Sequence, residues 1–127
     1  VVLFDMHSFC YQREQKTNWF DDEKPEINLG TRFINRQFFS PLVDCFLEGV
    51  SGTRIGEHPM RVGENELFPG GYITRKFAKK YNRQVLVLAI EYKKIFMDER
   101  TGEIHKEHFD IVKNDFLRTR DQIMDLL

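Results

Sequence analysis

The sequence has few cysteines, no excess of charge of either sign and no long apolar run. Its two cysteines, Cys10 and Cys45, form no CxxC pair, which favours free thiols in a reducing compartment. The net charge is −1 and no basic block stands out, so neither nucleic acid nor an anionic membrane is an expected partner. The apolar run at 85–90 is too short to cross a bilayer. These absences predict a cytoplasmic protein.

The residues that are present suit one globular domain. Hydrophobic residues make up 41% of the chain and charged residues 31%, a balance typical of folded proteins. Twelve phenylalanines supply large apolar side chains for a core. A chain of 127 residues forms at most one domain.

Two apolar runs predict the main strands of a sheet. Residues 1–6 and 84–92 are almost continuously apolar, which is typical of strands buried on both faces of a parallel sheet. A weaker strand is predicted over 53–62, where Pro59 favours a sheet edge. The polar stretch 8–34 is predicted to be a long loop, and loops of this length are often functional.

Three helices are predicted between and after these strands. The first covers 40–49, with Ser40 as its cap and Gly49 beyond its end. The others are a short basic helix over 72–81 and a final helix over 106–126, where apolar residues recur at helical spacing. Strands that alternate with helices predict an α/β fold with a mainly parallel or mixed sheet and flanking helices. Because three strands make a thin sheet, we expect the domain to be incomplete.

Reactive side chains follow both main strands. Asp5, His7 and Ser8 end the first strand, and Glu91 ends the second. In open parallel sheets ligands bind at the carboxyl ends of the strands, so His7 and Glu91 share one rim if their strands are neighbours. An imidazole can bind zinc, and a nearby carboxylate can take a proton from the zinc-bound water.

The pattern alone leaves other interpretations open. A single histidine at a strand end is more often a hydrogen-bonded loop residue, and a lone glutamate there is usually solvated. Asp5 either orients His7 or, if strand alternation separates them, points to the opposite face. Ser8 lacks the histidine and aspartate array that a nucleophilic serine needs.

Four separated stretches of the sequence carry a family resemblance. They are FDMHSF, PEINLGTRF, GENELFPGGYITRKF and LAIEYKKIFMDERTGE, in that order. Together they resemble the N-formylglutamate amidohydrolase family over nearly the whole chain, and most closely its branch of flavohemoglobin expression-modulating proteins. The resemblance implies that 1–127 is the C-terminal part of one such domain. It also implies a phosphorylase/hydrolase-like fold similar to that of the zinc carboxypeptidases.

The resemblance also implies a reaction and roles for two residues. Enzymes of this kind are metal-dependent hydrolases that cleave the amide bond of an N-acyl amino acid such as N-formylglutamate. They hold zinc with a His-x-x-Glu pair and a later histidine in a strand-end His-Ser dipeptide, and they use a glutamate on a late strand as general base. Matched by motif, His7 is the third zinc ligand and Glu91 is the base.

One part of the family pattern is missing from this sequence. No His-x-x-Glu occurs in the 127 residues, and His105 and His108, near a helix start, form His-x-x-His. A solvated or capping role is expected for these two. Because a catalytic zinc takes three protein ligands, we expect the first two to lie upstream of Val1. Alone, this chain is expected to be inactive.

Three further residues are candidates for substrate binding. Arg32 and Arg75 fall within the family motifs, and a substrate that ends in carboxylates needs a guanidinium to accept them bidentately. Tyr72 follows two glycines and either donates its hydroxyl to the substrate or simply opens the helix. The alternative for Arg75 is solvated charge on a basic helix.

Two rival functions remain at this stage. The same histidine and glutamate would serve a carboxypeptidase that acts on peptide C-termini. A domain without His-x-x-Glu is alternatively a non-catalytic binding or regulatory module derived from this fold.

Overall fold

The computed structural model describes residues 1–12, 18–21 and 23–127. The predicted loop 8–34 therefore falls partly on residues 13–17 and 22, which lie outside the described part. The strands are β1 (Val2–Phe9), β2 (Ile27–Gly30), β3 (Arg54–Ile55), β4 (His58–Pro59), β5 (Val62–Glu64) and β6 (Leu86–Lys93). The helices are α1 (Ser40–Val50), α2 (Tyr72–Tyr81) and α3 (Lys106–Asp125).

A mixed sheet forms the centre of the molecule. Its four strands are ordered β1-β6-β2-β5, and β3 and β4 form a separate hairpin. β1 is parallel to β6 and β2 is parallel to β5, whereas β2 and β6 are antiparallel. β6 lies inside the sheet, and the side chains of its residues Leu86–Ile90 are buried. The predicted α/β fold with a mixed sheet and flanking helices is confirmed.

The strand predictions need three corrections. The first strand extends to Phe9, and it is half-buried to exposed rather than buried, because among the described residues β6 is its sole partner. β2 was missed inside the predicted loop, since four residues are too few to show a period. The predicted strand 53–62 is a hairpin followed by β5, and Gly56 makes the hairpin turn with φ +60°.

The helix predictions hold except at the ends of α1. Phe39, not Ser40, is at the N-cap position, and no side chain caps the helix there. Gly49 lies inside α1 rather than beyond it, because α3 packs closely at this point. A Cβ on Gly49 would lie 2.6 Å from Cγ2 of Thr119, so the absence of a side chain permits the approach of the two helices.

The two faces of the sheet are covered differently. α1 packs against α3, and Phe116 of α3 makes an edge-to-face contact with Phe4 of β1 at 5.4 Å between ring centroids. The even-numbered residues of β1 therefore face α3, and the odd-numbered residues face the opposite side. α2 contacts β6 and follows the loop 65–71, which lies on that opposite side.

Two simpler findings complete the fold. Cys10 and Cys45 are both free, as predicted. Among the described residues, none of the helices combines the length and the apolar character needed to traverse a lipid bilayer.

Candidate functional site

His7, Glu91 and Asn28 lie side by side on one face of the sheet. His7 pairs with Glu91 in the parallel register of β1 and β6, and Asn28 pairs with Glu91 from the other side. Paired residues of adjacent strands project to the same face, and neighbouring strands are about 4.8 Å apart. The structure therefore brings together the two residues that the sequence singled out, and it adds an asparagine that sequence reasoning missed.

Asp5 holds the imidazole of His7. His7 Nε2 lies 2.9 Å from Oδ1 of Asp5, and the two residues share a face because they are two positions apart on β1. The His7 side chain is 52% exposed and that of Asp5 is 12% exposed, so the carboxylate is fixed while the ring is open to a ligand. When the carboxylate accepts from Nε2 of a neutral imidazole, Nδ1 is the nitrogen left to bind a metal ion.

Partial burial changes the acidity of Glu91. Desolvation raises the pKa of the Glu91 carboxyl above its usual range; the nearby His7 lowers it and Asp5 raises it, both by smaller amounts. The net effect is a higher pKa. A carboxylate with a raised pKa is a better proton acceptor near neutral pH than an ordinary solvated glutamate.

The raised pKa of Glu91 makes a prediction about stability. The folded state binds the Glu91 proton more tightly than the unfolded chain does, so ionisation of Glu91 lowers the free energy of unfolding. This loss of stability is absent below the pKa that Glu91 has in the unfolded chain, and it is complete above the pKa that Glu91 has in the folded protein. We expect Glu91→Gln to unfold at a higher temperature than the parent at about pH 7.5, with the difference disappearing by about pH 4. Thermal unfolding followed by circular dichroism measures both values. A lower melting temperature for the variant at the higher pH would contradict the prediction.

A buried ion pair is formed by Lys93, two residues beyond Glu91 on β6 and therefore on the same face of the sheet. Lys93 is fully buried, and its Nζ donates to Oε1 of Glu26 at 2.9 Å, to the Trp19 carbonyl at 2.9 Å and to the Lys24 carbonyl at 2.8 Å. Glu26 is also buried, and it accepts hydrogen bonds from the backbone N–H and guanidinium of Arg61. This network fixes the segment that covers β6 beside the site.

A loop lies against β2 on the other side of the site. Asn28 Nδ2 donates to the carbonyl of Phe68 at 2.8 Å, and the N–H of Leu67 donates to Oδ1 of Asn28 at 2.9 Å. A Cβ on Gly30 would lie 2.5 Å from the backbone nitrogen of Gly70. Asn28 therefore holds the loop 67–71 in place, and Gly30 leaves the room that the loop occupies.

The predicted substrate-binding residues gather around this same loop. The backbone N–H of Arg32 donates to the Pro69 carbonyl at 3.1 Å, and the Arg32 side chain is exposed. The Arg75 guanidinium lies over the ring of Phe33, 5.5 Å from its centroid. Tyr72, the first residue of α2, is 68% exposed. These contacts do not place the three side chains against His7 or Glu91, and their binding roles stay predictions.

The contacts of the other three histidines are with residues other than His7, Glu91 and Asn28. The ring of His58 stacks on Phe20, with 3.6 Å between centroids. Nδ1 of His108 bonds the Ile95 carbonyl at 2.8 Å, and His105 is at the N-cap position of α3 without a capping side-chain bond.

The described residues supply one candidate zinc ligand, His7, and not the three protein ligands of a complete catalytic site. Within residues 1–12, 18–21 and 23–127, no group of three or more His, Cys, Asp or Glu side chains can hold a metal ion. The carboxylate bond to one nitrogen of His7 is nevertheless typical of a metal-binding histidine.

An apolar cleft of ≈360 Å³ lies on the opposite face of the sheet, beneath α3. It is bordered by Met6, Ser8 and Tyr92 of the strands and by Phe109 and Phe116 of α3. His7 borders this cleft, but Glu91 does not. The cleft is therefore separate from the row that contains the predicted base.

Comparison with known proteins gives the family of this chain. The family model for N-formylglutamate amidohydrolase matches residues 1–97, which include both His7 and Glu91. The chain belongs to the N-formylglutamate amidohydrolase family. The predicted family resemblance is thereby confirmed.

A solved N-formylglutamate amidohydrolase has a similar fold. The crystal structure of the protein from Ralstonia eutropha JMP134 superposes with a TM-score of 0.63 at 19% sequence identity. The match covers 98% of this chain and 44% of the Ralstonia protein, so the chain spans less than half the length of that N-formylglutamate amidohydrolase. No curated protein sequence matches the chain.

Proposed function

We propose that a protein containing this chain hydrolyses the amide bond of an N-acyl amino acid, with N-formylglutamate as the model substrate. The observation that carries the proposal is the in-register pairing of His7 with Glu91, inside the segment that matches the amidohydrolase family. The hydrogen bond from His7 to Asp5 supports it, because it fixes the ring in one orientation.

Zinc is the proposed cofactor, with His7 as one of its ligands. When bound, zinc supplies a Lewis acid that lowers the pKa of the attacking water and polarises the amide carbonyl. Two more protein ligands are required, and we propose that they come from outside residues 1–127. The activity is accordingly proposed for a longer protein, in keeping with the 44% coverage of the similar structure.

The roles of the chain's own residues follow from their positions. Glu91 takes a proton from the attacking water and returns it to the leaving nitrogen, so that cleavage yields the free acid of the acyl group and the free amino acid. Asp5 keeps His7 in its metal-binding tautomer. Arg75 and Arg32 are the proposed partners of the substrate carboxylates, and Tyr72 the proposed hydroxyl donor.

Metal content and hydrolysis, measured together on the full-length protein, test this proposal. We expect about one zinc per chain, hydrolysis of N-formylglutamate, loss of turnover after chelation, and recovery when zinc is restored. The control is a chelated sample that is returned to chelator-free buffer without zinc. Hydrolysis that persists after complete zinc removal would refute the metal assignment.

Two alternatives give different results in the same assays. A non-catalytic binding or regulatory module, favoured by the lack of a three-ligand group among the described residues, would hold no stoichiometric zinc and would release no amino acid. A carboxypeptidase would cleave C-terminal residues from unmodified peptides faster than it cleaves N-acyl amino acids.

A further inference from the structure

Phe68 bridges two strands on the face that carries Glu91. Its main chain is tied to β2, where Asn28 binds the carbonyl of Phe68 and the N–H of Leu67. Its ring lies against Phe9 of β1, with 5.6 Å between the ring centroids. Because β6 runs between β2 and β1, the Phe68 side chain reaches across β6 beside the row that contains Glu91.

The loop that carries Phe68 is fixed at more than one point. Besides the Asn28 bonds, Oδ1 of Asn65 accepts from the N–H of Thr31 at 2.8 Å, and Asn65 N donates to the Leu29 carbonyl at 2.9 Å. The close approach at Gly30 leaves no space for the loop to move towards β2. The ring is therefore held by its surroundings and does not depend on a bound molecule for its position.

The Phe68 ring keeps free surface in this position. The residue is 38% exposed although it contacts Phe9. Binding sites for small molecules combine a few polar groups with an apolar or aromatic wall, and the polar groups here are His7, Asp5 and Glu91. Aromatic rings bind apolar groups over a large contact area.

We propose that Phe68 is a specificity-determining residue that packs against an apolar side chain of the N-acyl amino acid, and that Asn28 is the positioning residue that holds it there. This inference rests on the proposed function and widens its substrate class from N-formylglutamate to N-acyl amino acids with an apolar side chain, such as N-acyl leucine. A ring that contacts substrate discriminates between side chains, whereas a ring with a purely structural role affects all substrates alike.

Binding of two probes to the full-length Glu91→Gln protein tests the inference without turnover. Calorimetry compares N-formylleucine with N-formylglutamate, before and after a second change, Phe68→Ala or Asn28→Ala. We expect each second change to weaken the binding of N-formylleucine about 10-fold or more and the binding of N-formylglutamate less than about 3-fold, since apolar contacts discriminate between ligands on this scale. Phe38→Ala is the matched control, because Phe38 is also an exposed aromatic residue but lies just before α1, against Phe39.

The outcomes separate the inference from the proposed function. If the binding of both probes is weakened equally, or if the binding of N-formylleucine is not weakened, the proposed role of Phe68 is wrong. If the Glu91→Gln protein binds neither probe, the inference falls together with the proposed function. If both probes bind with the expected selectivity but the parent hydrolyses neither, the proposed function fails and the binding role of Phe68 stands.

Discussion

Replacing Glu91 with glutamine is expected to lower kcat for amide hydrolysis by about 10²- to 10⁴-fold, the usual contribution of a general base. Glutamine keeps the size of the side chain and a carbonyl oxygen at the same place in β6, but it accepts no proton. Because the loss occurs in proton transfer rather than in binding, KM should change much less than kcat. Steady-state kinetics with N-formylglutamate on the full-length protein measure both values.

Two controls make the Glu91 result specific. Zinc content must remain at the parental level in Glu91→Gln, which shows that the site is still assembled. Glu103→Gln provides a matched change at an exposed glutamate on the turn before α3, and it should leave kcat within about 2-fold. Undiminished turnover by Glu91→Gln would remove Glu91 from the mechanism.

Replacing Lys93 with methionine is expected to lower the free energy of unfolding by about 3 kcal/mol or more. The change deletes the buried ammonium that binds Glu26 and the carbonyls of Trp19 and Lys24. The buried Glu26 carboxylate then has Arg61 as its remaining cationic partner among the described residues. Urea unfolding of the parent and the variant measures the difference.

A double variant separates the ion pair from simple loss of packing. Adding Glu26→Gln to Lys93→Met removes the stranded charge, so the double variant should be more stable than Lys93→Met alone. Lys79→Met is the matched control at an exposed lysine of α2, and it should change stability by less than about 0.5 kcal/mol. If the double variant loses as much free energy of unfolding as the two single variants do in sum, Lys93 and Glu26 are not energetically coupled.

Strong local patterns were sufficient to predict the fold class and the main helices. α2 begins and ends where the short basic helix is predicted, and the continuous apolar run before Glu91 forms the buried β6. The juxtaposition of His7 and Glu91 followed from a general rule about strand ends, because β1 and β6 are parallel neighbours. Zinc ligation by His7 and the base role of Glu91 stay predictions.

The rest of the site depends on long-range contacts that no local pattern reveals. A lysine after a strand is ordinarily solvated, and Lys93 is buried here against Trp19, Lys24 and Glu26, which are distant from it in sequence. In the sequence Asn28 is one more polar residue of a predicted loop. Its role depends on the structure, where it lies in β2 and bonds the loop 67–71. One signal was present in the sequence, since Gly30 interrupts a run of larger residues where the backbone of another segment approaches.

The parallel pairing of β1 with β6 has a consequence for how the protein acquires its site. The backbone nitrogen of Val1 donates to the Gln84 carbonyl at 3.1 Å, and the two residues are 83 positions apart in the chain. Contacts so distant in sequence form slowly, because a long loop must close before the pairing stabilises it. His7 and Glu91 therefore meet only when the two ends of this long loop have come together, and a folding intermediate with formed helices but an unpaired first strand has no assembled site.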